Sequence, residues 1–105
     1  MPIRDYEFSS GALFDLEEIR LYTQVRWGLD QTLDYLESIY ETVERLQRFP
    51  NAGKDRTDVR PGLRSVAVRA HVIDYRVLPD LIRITNILHA REDTRPALNE
   101  STDEK

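Results

Sequence analysis

The side chains best equipped for chemistry are two histidines, His71 and His89, and five arginines, Arg64, Arg69, Arg76, Arg83 and Arg91. His89 stands two residues before Arg91, which sets an imidazole, a group that titrates near neutral pH, beside a guanidinium that keeps its charge. That pairing suits acid–base chemistry in which the cation stabilises developing negative charge. The same two residues equally suit a binding role, or a capping role for His89. His71 falls at a strand turn and reads as structural or exposed. In a strand of period two each arginine points away from the apolar face, as solvated surface or as part of a patch that engages a target.

Other chemistries lack their residues. There is no cysteine, hence no disulfide, thiolate ligand or Cys nucleophile. The two histidines have no ligand-like spacing, and neither a glycine-rich phosphate loop nor a nucleophile elbow is present. A function without metal or cofactor is expected. No apolar run approaches the ~20 residues of a membrane span. Met1-Pro2-Ile3-Arg4-Asp5 does not resemble an export signal, so a cytoplasmic location is expected.

Charge is uneven along the chain. Residues 1–50 carry 5 Arg against 10 Asp and Glu, whereas residues 51–98 carry 9 Lys and Arg against 6 acids. An acidic half followed by a basic half predicts two faces with different partners. The positive excess is too small for a general nucleic-acid binder.

The elements that must position these groups follow from periodicity. Tyr6 and Phe8 alternate in a short strand beginning at Ile3. Ser9 and Ser10 offer caps to a helix whose apolar line is Ala12, Leu16, Ile19 and Tyr22 or Thr23, widened by Leu13, Phe14 and Leu21; Gly28 ends it. A second helix follows, with Leu29, Leu33, Leu36, Tyr40 and Val43 in line and Ile39 and Leu46 beside it, until Pro50 and Gly53. Residues 51–60 read as an exposed loop. Then the period becomes two: Arg64, Val66 and Val68; Ile73, Tyr75 and Val77; Ile82 and Ile84. The turns, near Ala70 and at Leu78-Pro79-Asp80, are short enough to demand antiparallel hairpins. The expectation is one α+β domain, β-α-α-β-β-β in two layers, with an N-terminal helical hairpin packed on an antiparallel sheet. The domain is expected to span residues 1–93, followed by a mobile tail, 94–105.

This order, with its punctuation, resembles the ParE toxin family across residues 3–93. The matching pieces are Ser10…Ala12…Asp15-Leu16…Ile19…Tyr22, Trp27-Gly28, Tyr35-Leu36, Leu46…Phe49-Pro50…Gly53, Arg60-Pro61-Gly62-Leu63-Arg64, His71-Val72-Ile73…Tyr75-Arg76 and Ile87-Leu88-His89…Arg91-Glu92-Asp93. The resemblance implies a non-enzymatic inhibitor of DNA gyrase, neutralised by a ParD-like antitoxin within a hetero-oligomer. It leaves operator recognition to the antitoxin. Arg64, Arg76, His89 and Arg91 are the candidates for target binding. Leu13, Leu16, Trp27, Leu36 and Tyr40 are the candidates for antitoxin binding, with Trp27 read as a core anchor.

The alternative is the RelE branch of the same superfamily, a ribosome-dependent mRNA endonuclease with His89 and Arg91 at its centre. RelE-type sites often use a C-terminal tyrosine, yet every tyrosine here lies at or before Tyr75, which shares an apolar face with Ile73 and Val77. The third-strand position where RelE places an arginine is apolar here, near Val72 and Ile73.

Overall fold

Polar residues mark where the helices begin and end. The Ser9 hydroxyl accepts the Ala12 amide at 3.1 Å and caps α1 (Ser10–Trp27). Gly28, at a φ of 89°, donates its amide to the Gln24 carbonyl and offers its own carbonyl to the Thr32 amide. One positive-φ residue therefore closes α1 and opens α2 (Leu29–Arg48). The computed structural model describes residues 5–93 and Arg95; the expected strand start at Ile3 and, apart from Arg95, the expected tail 94–105 lie outside the described residues.

Among the described residues the strands are β1 (Asp5–Phe8), β2 (Lys54–Asp55), β3 (Arg64–Val68), β4 (His71–Val77) and β5 (Leu81–His89), with a 3-10 turn at Ala90–Glu92. They form one sheet in the order β1-β5-β4-β3-β2. The β3-β4-β5 meander is antiparallel, as its short turns require. The sheet as a whole is mixed, a correction to the antiparallel expectation: β1 pairs parallel with β5, Tyr6 opposite Ile82 and Phe8 opposite Ile84. Parallel neighbours need a long connection, and the helical hairpin with the meander supplies it. Between Asp74 and Tyr75 the β4–β5 register slips, leaving Thr85 as the extra residue of a bulge.

The core lies between the helices and one sheet face, and includes Ala12, Leu16, Ile19, Ile39, Val43, Leu46, Ile73, Tyr75, Ile82, Ile84 and Ile87. In α1 the fourth buried position is Thr23, and Tyr22 is exposed. In α2 the buried line runs Thr32, Ile39, Thr42, Val43 and Leu46, whereas Leu29 and Leu33 of the expected stripe are exposed. At about 100° per residue Leu29, Leu33 and Tyr40 fall on one flank of this line. The spacing was helical, but it traced the rim of the core.

The segment expected as an exposed loop is partly internal. Lys54 and Asp55 pair with Ser65 and Arg64, and Arg56 and Leu63 are buried. Backbone bonds from Arg56 to Leu63 and from Val59 and Arg60 back to Arg56 fold the loop against the sheet. Arg56 also grips Asp58 at 3.2 Å, which offsets the burial of its charge.

Candidate functional site

The four candidate target-binding residues lie in three places. Arg64 is engaged structurally: its Nε and Nη2 donate to the Gly53 carbonyl at 3.2 and 2.8 Å, and Nη2 also donates to the Asn51 carbonyl at 3.1 Å. Beside it the Tyr75 hydroxyl donates to the Pro50 carbonyl at 2.7 Å and accepts the Gly53 amide at 2.9 Å. Tyr75 is fully buried, as its alternating face predicted, and desolvation pushes its phenol above the ordinary tyrosine range. The pair stitches the chain after α2 onto β3 and β4.

His89 and Arg91 sit together at the end of β5. The His89 Nδ1 accepts the Arg91 amide at 3.0 Å and caps the 3-10 turn, so the capping role is realised. His71 lies directly across the ladder from His89, their rings 5.0 Å apart at the centroids and edge to face. Tyr35 reaches from α2 to His71 Nδ1 at 2.6 Å while its oxygen accepts the Ala70 amide at 3.0 Å. Burial, with a smaller contribution from His89, lowers the His71 pKa to about 4 against the opposing pull of Glu92. His71 is therefore a neutral structural group at physiological pH. Arg91 is exposed and lines a groove of about 630 Å³ between α1 and β5, with Asp15, Glu18, Tyr22, His89 and Glu92.

Arg76 is on the sheet face turned away from the helices. Its Nη1 donates to the Pro61 carbonyl at 2.5 Å, and it borders a cleft of about 430 Å³ with Arg60, Leu63, Asn86 and Leu88. At this cleft stands a cluster that sequence reasoning missed: Ser65 and Asp74 on the sheet, joined by Asp93 and Arg95. The one available signal was Asp74 itself, an acid in mid-strand. Among the described residues no group of three or more His, Cys, Asp or Glu is placed to hold a metal ion, and no helix is long and apolar enough to cross a membrane.

The candidate partner-binding residues divide by exposure. Leu16 is only 8% exposed and belongs to the core, and Leu36 is half-buried against it. Leu13 and Trp27 are 55% and 65% exposed, and Tyr40 is 39% exposed. The core reading of Trp27 is thus overturned: its spacing continues the α1 stripe, but position 27 is the last of the helix, where the chain reverses at Gly28. More exposed apolar side chains surround these. Phe14, Leu21 and Val25 occupy the side of α1 opposite its buried line, Val25 being 86% exposed. α1 is therefore apolar on two faces, and only one is covered by the sheet.

A helical hairpin on a five-stranded mixed sheet, with an uncovered apolar helix face and a histidine used as a cap, defines a small α+β domain. Residues 6–94 match the family model described as ParE toxin of type II toxin-antitoxin system, parDE, and the chain belongs to that family. It is 32% identical over 96 residues to Toxin ParE1 of Caulobacter vibrioides, covering 91% of this chain and 99% of that protein. It is 35% identical over 89 residues to Toxin ParE1 of Mycobacterium tuberculosis, covering 84% and 91%. Among solved structures it resembles a chain of the chromosomal ParDE TA system from P. aeruginosa, with a TM-score of 0.72, 26% identity, and coverage of 83% and 96%.

Proposed function

We propose that this toxin inhibits DNA gyrase in the cytoplasm and is held inactive by a ParD-like antitoxin docked on its helical hairpin in a hetero-oligomer. The observation that carries the reading is the uncovered apolar surface of the hairpin. Leu13, Phe14, Val25, Trp27, Leu29 and Leu33 are each more than half exposed. Apolar side chains left this exposed are a liability in a free protein and an asset in one with an obligate partner. Leu13, Trp27 and Tyr40 remain the antitoxin contacts, joined by Phe14 and Val25, while Leu16 and Leu36 support them from beneath. Arg76 and Arg91 are the candidate cations with donors left for the target: Arg76 gives Nη1 to the Pro61 carbonyl, whereas Arg64 gives both Nε and Nη2 to backbone carbonyls.

A non-catalytic action is supported by the same geometry. The His89 Nδ1 is engaged in capping and no tyrosine follows Tyr75. The test is a supercoiling assay with purified gyrase, run beside an in vitro translation reaction with mapped mRNA ends. Inhibited supercoiling with intact mRNA is the expected result. Codon-phased cleavage with unaffected gyrase would overturn the proposal and return His89 and Arg91 to the centre of a ribonuclease mechanism.

A further inference from the structure

Asp74 lies in the middle of β4 on the face away from the helices, only 1% exposed, and Ser65 of β3 donates to its Oδ1 at 2.7 Å. Its counter-charge does not come from the sheet. Arg95, beyond the 3-10 turn, places Nη1 2.6 Å from Oδ2 and Nη2 3.2 Å from Oδ1, a two-pronged pair. Asp93 holds the same guanidinium, accepting Nε at 2.8 Å and Nη2 at 2.9 Å, and it accepts the Arg95 amide at 3.0 Å. The guanidinium thereby lines the cleft together with Arg60, Leu63, Arg76 and Leu88.

The two halves of this lock differ in how they are fixed. Ser65 and Asp74 are partners in the β3–β4 ladder and stay in place whatever happens beyond β5. Asp93 and Arg95 belong to no strand or helix, and the Arg95 side chain keeps 20% of its surface in solvent. Removing the arginine would leave a buried carboxylate uncompensated, a costly state that favours another cation in its place. A planar guanidinium satisfies both carboxylate oxygens at once, which an ammonium cannot.

We propose that Ser65 and Asp74 form a guanidinium socket, filled in cis by Arg95 at the edge of the cleft. An arginine side chain of a docking protein can fill it in trans, displacing that of Arg95. The cis arginine holds the site by its high effective concentration, so exchange requires a partner already bound nearby.

The test is thermal unfolding of the full-length wild type, R95A, R95K and the double variant D74N/R95A, each titrated with ethylguanidinium or ethylammonium at millimolar concentration. R95A is expected to melt about 10 °C or more below wild type. Ethylguanidinium should restore at least half of that loss, saturably, while ethylammonium restores little and wild type and D74N/R95A do not respond. R95K should melt between wild type and R95A. If R95A does not fold, the same comparison is read from refolding yield with and without ethylguanidinium. R95A melting with wild type, or both compounds lifting every variant alike, would overturn the proposal.

Discussion

The carboxylate of Asp15, in the second turn of α1, accepts the amide of Ile87 in β5 at 2.8 Å. The Ser9 hydroxyl, while capping α1, donates to the carbonyl of Thr85 at 2.9 Å. Together they satisfy backbone groups at the bulge residue Thr85 and two residues beyond it, where the β4–β5 ladder is interrupted. Asp15→Ala should therefore destabilise the domain by about 1–3 kcal/mol, with Asp15→Asn losing less than half as much because its amide oxygen still accepts. Denaturant unfolding of the three proteins checks it. Equal losses for Ala and Asn would show that the charge, not the hydrogen bond, is what matters.

Gly53 is set by Tyr75. A Cβ on Gly53 would lie 2.5 Å from the Tyr75 hydroxyl oxygen and 2.8 Å from the Ser65 carbonyl, neither of which is free to move. Gly53→Ala should cost about 1–3 kcal/mol through overpacking. Tyr75→Phe should cost a similar amount by leaving the Gly53 amide and Pro50 carbonyl without their partner. The double variant is expected to lose less than the sum, since removing the hydroxyl also makes room; additive losses in chemical denaturation would contradict this coupling.

Local regularities carried most of the fold in the sequence. Ser9, Gly28 and the alternation from Val66 to Ile84 each act within a few residues, and each sits where its chemistry requires. What was illegible is non-local. Nothing near Tyr6 says that its strand will run parallel beside Ile82. Leu29, Leu33 and Tyr40 keep helical spacing, yet only the sheet's position decides that they form a rim. Of the candidate site, the nearness of His89 and Arg91 was legible because they are two residues apart, whereas the engagement of Arg64 by carbonyls from residues 51 and 53 had no local signal. The Asp74–Arg95 pair joins residues on either side of β5, a relation that no periodicity reports.

His71 should leave a signature in the pH dependence of stability. In the fold it stays neutral down to about pH 4, whereas in the unfolded chain a histidine titrates near ~6.5. Between those values the unfolded chain takes up a proton that the folded one does not. Stability should therefore fall as pH drops from about 6.5 to about 4 and gain no further slope from this group below that. The size is of the order of 1–3 kcal/mol, less than the full linkage value because the ring is partly solvated. His71→Gln, which keeps an acceptor for Tyr35, should flatten this limb in urea unfolding measured across pH, and an unchanged limb would assign it to other groups.

The exposed face of α1 separates stability from partner binding. Val25 and Phe14 point away from the buried line of Ala12, Leu16, Ile19 and Thr23, so lysine at either position removes no core contact. Stability should stay within about 0.5 kcal/mol of wild type. A lysine beneath a docked apolar segment must be desolvated, and truncation at an interface hot spot costs about 2 kcal/mol or more. Val25→Lys and Phe14→Lys should therefore weaken the complex with the proposed antitoxin by roughly 30-fold or more. Lysine at exposed Asp30, which raises the charge by two rather than one and removes no apolar side chain, serves as the control. Calorimetric titration of the antitoxin into each toxin reads the effect directly. Wild-type affinity in both apolar variants would move the antitoxin off this helix face, while a drop that Asp30→Lys reproduces would assign the effect to charge alone.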